Sequence, residues 1–201
     1  MYVVNMMDPT QPDHWGNPPA FTDPKESTNP IDKRLKTDFR FIPSNDFQAA
    51  RGYYHFSNYR LTRYDDQYVQ AIGEKPDVMK AENDMLRAEA RIYGSAPDLA
   101  GAAAIINAGT RVTRGQMAPV AAVKADLINA IHHERNVEMF TTGCGIQFFE
   151  MRKLNLLQKG TPLHFPLPAK ILETFGAPLP FYTFGTVGKA DGINTSNGGW
   201  R

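Results

Sequence analysis

From residue 76 onward the apolar positions recur with helical spacing. Val78, Ala81, Met85, Ala88 and Ile92 fall at i, i+3, i+7, i+10 and i+14, which predicts an amphipathic helix whose alanines admit a close neighbour. Gly94, Ser95, Ala96 and Pro97 end that helix and open the next. Pro97 suits a first helical position, and Asp98 suits the positive end of the helix dipole. Leu99, Ala102, Ala103 and Ile106 then mark a second helix, and so short a turn requires an antiparallel αα-hairpin. Beyond a loop at Gly115, the stripe Val120, Val123, Leu127 and Ile131 predicts a long helix over 120–140. Glu134 and Glu138 continue that stripe, so two carboxylates stand where the pattern asks for core. Gly143 and Gly145 mark a reversal, and Phe148, Phe149 and Met151 supply the apolar surface of a helix running to about residue 157.

The ends read differently. Residues 1–44 hold seven of the fifteen prolines, interspersed with Asp, Asn and Thr and with little periodicity. This predicts an extended arm, draped over a surface or partly disordered. Residues 51–64 are dense in aromatics and read as a short hairpin. Three prolines exclude a helix over 160–168; a brief helix is expected over 169–175, and five glycines fall within 185–201. The fold class expected is mainly α, an αα-hairpin plus a long helix pair with extended Pro/Gly-rich arms at both ends. The domain division expected is an arm over 1–44 and a helical domain over 45–201.

Composition narrows the function. With 201 residues the chain can bury a proper core, and 42% apolar against 21% charged residues is ordinary for a globular protein. A net charge of +1 gives no basic footprint for nucleic acid. No apolar run approaches the length of a membrane span, and the opening residues lack the basic start and apolar core of a signal peptide. The single cysteine, Cys144, excludes an internal disulfide.

Candidate chemistry is sparse. His132, His133 and Glu134 lack the second histidine of a His-Glu-x-x-His helix, and adjacent histidines point to different sides, so no metal is expected. Cys144 has no identifiable base and reads as a turn residue. The spacing of Gly143 and Gly145 resembles a dinucleotide loop but lacks its third glycine and follows a helix. Glu134 and Glu138 form a carboxylate pair of the kind glycosidases use, yet a single helical turn apart and beside Arg135 they read better as an ion network fixing register. Arg135 and Arg152 are the partners nearest in sequence. Tyr53, Tyr54 and Tyr59, with Phe56 and Tyr64, are candidates for stacking against the C–H faces of sugar rings; the alternative is that they plug the arm onto the body. No catalytic residue and no cofactor are expected.

The order Glu134, Arg135, Glu138, Gly143, Phe148, Phe149, Glu150, Met151, Arg152 and Lys153 resembles the C-terminal signature of the SusD/RagB family. Residues 80–90 and 106–108 resemble that family's last TPR-like helix pair, and Asp32, Arg34 and Leu35 resemble its Asp-x-Arg-Leu pattern. Thr142, Gln147 and Phe148 depart from the family, which often has an acid before the glycine and an Arg-Trp pair after it. The resemblance implies a TPR-like helical fold and the C-terminal portion of a longer protein. It also implies nutrient binding, of glycans above all, without hydrolytic activity. The partner implied is a TonB-dependent transporter and the place the outer membrane of the cell envelope. A second expectation is that a shortened module of this kind acts as a structural or interaction subunit of a larger envelope or membrane protein complex.

Overall fold

In a computed structural model of the chain, the structure describes residues 2–13, 25–42, 58–73, 76–157, 161 and 167–179. Of these 49% are helical, with one two-stranded sheet. The chain divides into two compact units, Met1–Gln147 and Phe148–Arg201.

The first unit is built around three helices. α4 (Lys80–Tyr93) and α5 (Leu99–Asn107) form the hairpin, and α7 (Lys124–Val137) packs on both. Met85, Ala88 and Ile92 meet Ala102, Ala103 and Ile106, and Leu127, Ala130, Ile131 and Met139 close this core. The alanines let α4 and α5 approach, so small side chains set the spacing here. Asp98 is the N-cap of α5: its carboxylate accepts from the Gly101 backbone N–H at 2.8 Å. Pro97 therefore sits outside the helix rather than at its first position.

The ends of the predicted stripes fall away. Val78 precedes α4 and is 76% exposed, and Val123 is the N-cap of α7 and 51% exposed. Periodicity counts apolar residues but does not know where the first hydrogen-bonded turn begins. α7 ends at Val137, and Thr141, Gly143 and Gly145 then take positive φ of 64°, 62° and 73°. Gly143 is needed: a Cβ there would meet the Ile146 side chain at 2.6 Å. α8 (Ile146–Lys153) follows, shorter than expected, with Asn155 at φ 56° just beyond it.

Residues 1–44 are not an extended arm where the structure describes them. α1 (Tyr2–Met7) and α2 (Arg34–Asp38) are short helices, and β1 (Phe39–Phe41) pairs antiparallel with β2 (Tyr59–Leu61), Phe39 opposite Leu61 and Phe41 opposite Tyr59. Val4, Met7, Leu35, Phe39 and Val137 form a second core on the other side of α7. β2 of the aromatic stretch thus pairs with a distant segment, and residues 51–57 of the hairpin expected over 51–64 lie outside the described residues. Asp8 organises the turn after α1: it accepts from Thr10 N at 3.0 Å and Thr10 Oγ1 at 2.7 Å, and Ser27 Oγ donates to it. Burial works against its charge, but these bonds win and hold its carboxyl below the ordinary range. The sequence of this segment misled because a few apolar residues suffice when Val4, Met7, Leu35 and Phe39 are buried together. α3 (Asp65–Tyr68) and α6 (Thr110–Thr113) are single turns; Asp65 of α3 pairs with Arg60 of β2, and Thr110 of α6 reaches α7.

In the second unit, α9 (Ala169–Thr174) begins after Pro168, with Lys170 and Glu173 paired at 3.0 Å. Ile171, Phe175 and Leu179 are exposed there.

Met7 is fully buried. Met7→Ala is expected to cost about 2–5 kcal/mol of stability in chemical denaturation, as for a core methionine; an arm resting on the surface would lose almost nothing.

Candidate functional site

Arg34 lies at the centre of a buried ionic cluster and is itself 0% exposed. Its Nη2 and Nη1 donate to Glu134 Oε1 at 2.7 Å and Oε2 at 2.8 Å, a bidentate fork. Nε and Nη2 donate to Asp32 at 2.9 and 2.6 Å, and Nη1 also reaches Glu138 Oε2 at 3.0 Å. A single guanidinium thus holds three carboxylates. Glu138 is further gripped by Arg63 Nη2 at 2.8 Å and by Arg114 Nη1 at 2.6 Å. Arg114 Nη2 donates to Asp38 Oδ1 at 2.5 Å, Thr110 Oγ1 donates to Glu134 Oε2 at 2.9 Å, and His133 Nε2 lies 2.8 Å from Asp32 Oδ2.

The fold explains how these groups meet. Glu134 and Glu138 follow Leu127 and Ile131 on one face of α7, so the face that is core at its start becomes acidic at its end. The cations arrive from elsewhere: Arg34 from α2, Arg63 from the turn after β2, and Arg114 from just past α6. Gly115 lets the backbone pass close. A Cβ there would stand 2.6 Å from the Arg111 carbonyl and 3.0 Å from Asp32 Oδ1, while its own carbonyl accepts from Lys33 N at 2.9 Å.

Burial pushes Asp32 towards its neutral form, yet the bonds from His133 and Arg34 and the Arg34 charge win and hold it well below the ordinary carboxylate range. Glu138 behaves alike: burial raises it, while Arg63, Arg114 and Arg34 together bring it below its usual value. Burial alone would favour loss of the Arg34 proton, but Glu134 and Asp32 hold it all the more firmly. Carboxylates gripped in this way are poor proton donors near neutral pH. The cluster suits a clamp that fixes four segments of chain.

Glu134 and Glu138 are therefore buried and paired, but not with the nearest arginines. Arg135 points away and donates to Glu89 Oε2 at 2.6 Å, and Arg152 belongs to the second unit. Spacing on the helix explains this: Arg135 lies about 100° around α7 from Glu134. Sequence reasoning missed Asp38, Arg63 and Arg114 as members of the cluster. Their pairings span 24 to 76 residues, which a single sequence does not mark. The one local sign was Arg34 between the apolar Ile31 and Leu35.

The histidines part company. His132 Nε2 lies 2.7 Å from the Tyr2 hydroxyl, whereas His133 faces Asp32. Among the described residues no group of three or more His, Cys, Asp or Glu is placed to hold a metal ion. Cys144 is exposed. Gln147 Nε2 donates to the carbonyls of Arg135 at 2.8 Å and Met139 at 2.7 Å, capping the end of α7.

Of the aromatic candidates, Tyr53, Tyr54 and Phe56 lie outside the described residues. Tyr59 is half-buried on β2; its ring meets Phe41 edge-on at 5.3 Å between centroids, and its hydroxyl accepts from Ser27 N at 2.5 Å. It lines an open groove of about 440 Å³ with Phe39, Phe41, Lys36, Arg40 and Glu26. Tyr64 packs beneath the Arg63 guanidinium, 5.4 Å from the ring centroid, on the side of the ionic cluster.

Compared with known proteins, the chain matches no family model, no curated protein and no solved structure.

Two outcomes follow for the cluster. Glu138→Ala leaves buried guanidinium groups short of an anion and is expected to cost about 3–5 kcal/mol, while Arg152→Met stays within about 0.5 kcal/mol. Denaturant titration measures both. Asp32 and Glu138 have lowered values in the folded state, so the stability they give is present above the unfolded carboxylate range. It is lost as pH falls below about 4. The loss of stability between about pH 5 and pH 3 is expected to be smaller in Asp32→Asn than in the parent.

Proposed function

We propose that this chain is a SusD-like nutrient-binding component that works with a TonB-dependent transporter at the outer membrane, and that its ligand is a glycan. The observation that carries this reading is the groove at Tyr59. Two ring systems, Phe41 and Tyr59, meet there beside the exposed Arg40 and the carboxylate of Glu26. Sugar rings offer C–H faces to aromatic carbons and hydroxyls to charged groups, and that mixture is what the groove presents. The helix-rich body and the α4–α5 pair, read as a TPR-like unit, support the same proposal, as does the residue order from Glu134 to Lys153.

A second reading, an interaction subunit of a larger envelope complex, is favoured by the exposed Phe175 and Leu179, 81% and 78% accessible.

Calorimetry against a panel of soluble glycans is expected to give millimolar to micromolar affinity, on the order of −4 to −8 kcal/mol, since stacking in an open groove buries little of the ligand. Tyr59→Ala and Arg40→Ala are expected to weaken it, as are Tyr53→Ala and Tyr54→Ala. Silence across the panel, with a stoichiometric membrane partner recovered by pull-down and lost in Phe175→Asp, would decide for the subunit.

A further inference from the structure

A second cavity, of about 400 Å³, is lined by Arg111, Met117, Val120, Asp126, Asn129 and His133. All of these belong to the first unit. Arg111 differs from the other arginines of the region. Its Nε is buried and has no hydrogen-bond partner among the described residues, and its guanidinium forms no ion pair there. Burial works against its charge and outweighs the through-space attraction of Glu134 and Asp32, and with the repulsion from Arg34 it lowers the pKa of the guanidinium. The carboxylates nearby are already occupied: Glu134 by the Arg34 fork and Thr110, and Asp32 by Arg34 and His133. A half-buried guanidinium at a cavity wall that no carboxylate grips directly can take an incoming anion.

We propose that this cavity binds a small hydroxylated carboxylate, of the sugar-acid or hydroxy-acid class, with its carboxylate on Arg111. The fork of a guanidinium matches a carboxylate in plane and in charge. Asp126 and Asn129, exposed at the mouth, are acceptors and donors suited to hydroxyl groups. Asp126 is itself an anion, so a ligand without a donor to offer it is repelled; this selects hydroxylated acids over bare ones. Met117, Pro119, Val120 and Ala130 give the carbon skeleton an apolar wall. His133 is held by Asp32 at the inner end. The inference stands apart from the glycan groove, since the two sites share no lining residue.

The probe is D-glucuronate, with D-glucose and acetate as its two halves, followed by amide chemical shifts in the full chain. Glucuronate is expected to saturate in the millimolar range and to shift the amides of residues 117–121 and 133. Acetate and glucose are expected to bind at least about tenfold more weakly. Arg111→Gln should abolish the saturable shifts while circular dichroism stays unchanged. Should that variant fold poorly, the exposed substitutions Asn129→Ala and Asp126→Ala should each weaken glucuronate without changing the fold. Saturation of acetate as tight as glucuronate would overturn the hydroxyl selectivity. No saturable shift in this region up to tens of millimolar, or saturation that survives Arg111→Gln and Asn129→Ala, would overturn the site. A glycan panel that fails at Tyr59 leaves these outcomes untouched.

Discussion

One guanidinium, that of Arg34, meets three carboxylates away from the solvent-accessible surface, and the arrangement of the first unit depends on that meeting. Buried charges are tolerated only when each has an opposite charge and hydrogen bonds to spare. Arg34 has both, and so do Glu134, Glu138 and Asp32. The apolar cores on either side of α7 supply the driving force for collapse. They do not by themselves say which way α2, β2 and α6 must face. The ionic cluster does, because a rotation of any of these would leave a charge stranded.

α7 therefore does two jobs along a single face. Leu127 and Ile131 bury carbon against the hairpin, and Glu134 and Glu138 gather arginines from the rest of the unit. The change from one to the other occurs within a single turn. It makes the helix a poor amphipathic one by pattern, since His132 to Val137 are all buried. A helix surrounded on every side cannot show a clean polar face.

This explains what could be read beforehand. The α4–α5 hairpin, the reversal at Gly143 and Gly145, and the short α9 were legible because each is set by neighbours in sequence: alanine spacing, glycine φ, a proline before a helix. The burial of Glu134 and Glu138 was legible too, from the stripe they interrupt. Their partners were not, since local spacing favours Arg135, which the turn of the helix carries off to Glu89. Nor was the folding of residues 25–42: the proline content of 1–44 as a whole hid a stretch that itself holds only Pro30 and in which Leu35 and Phe39 do the packing. Composition averages over a segment, and two well-placed side chains escape the average. The groove at Tyr59 arises from the pairing of β1 with β2, again a contact between distant segments that no local pattern announces.

The pairing of Arg34 with Glu134 closes a loop of 100 residues. On a ribosome the arginine emerges first, and at about 5–20 residues per second Glu134 and Glu138 follow only after roughly 5–20 s. For that interval α1, α2 and β1 have no α7 to lie on, and Arg34 has only Asp32 of its three carboxylates. This segment thus settles only once α7 has been made, and its apolar residues, Val4, Met7, Leu35 and Phe39, are what a chaperone meets while the chain is still growing.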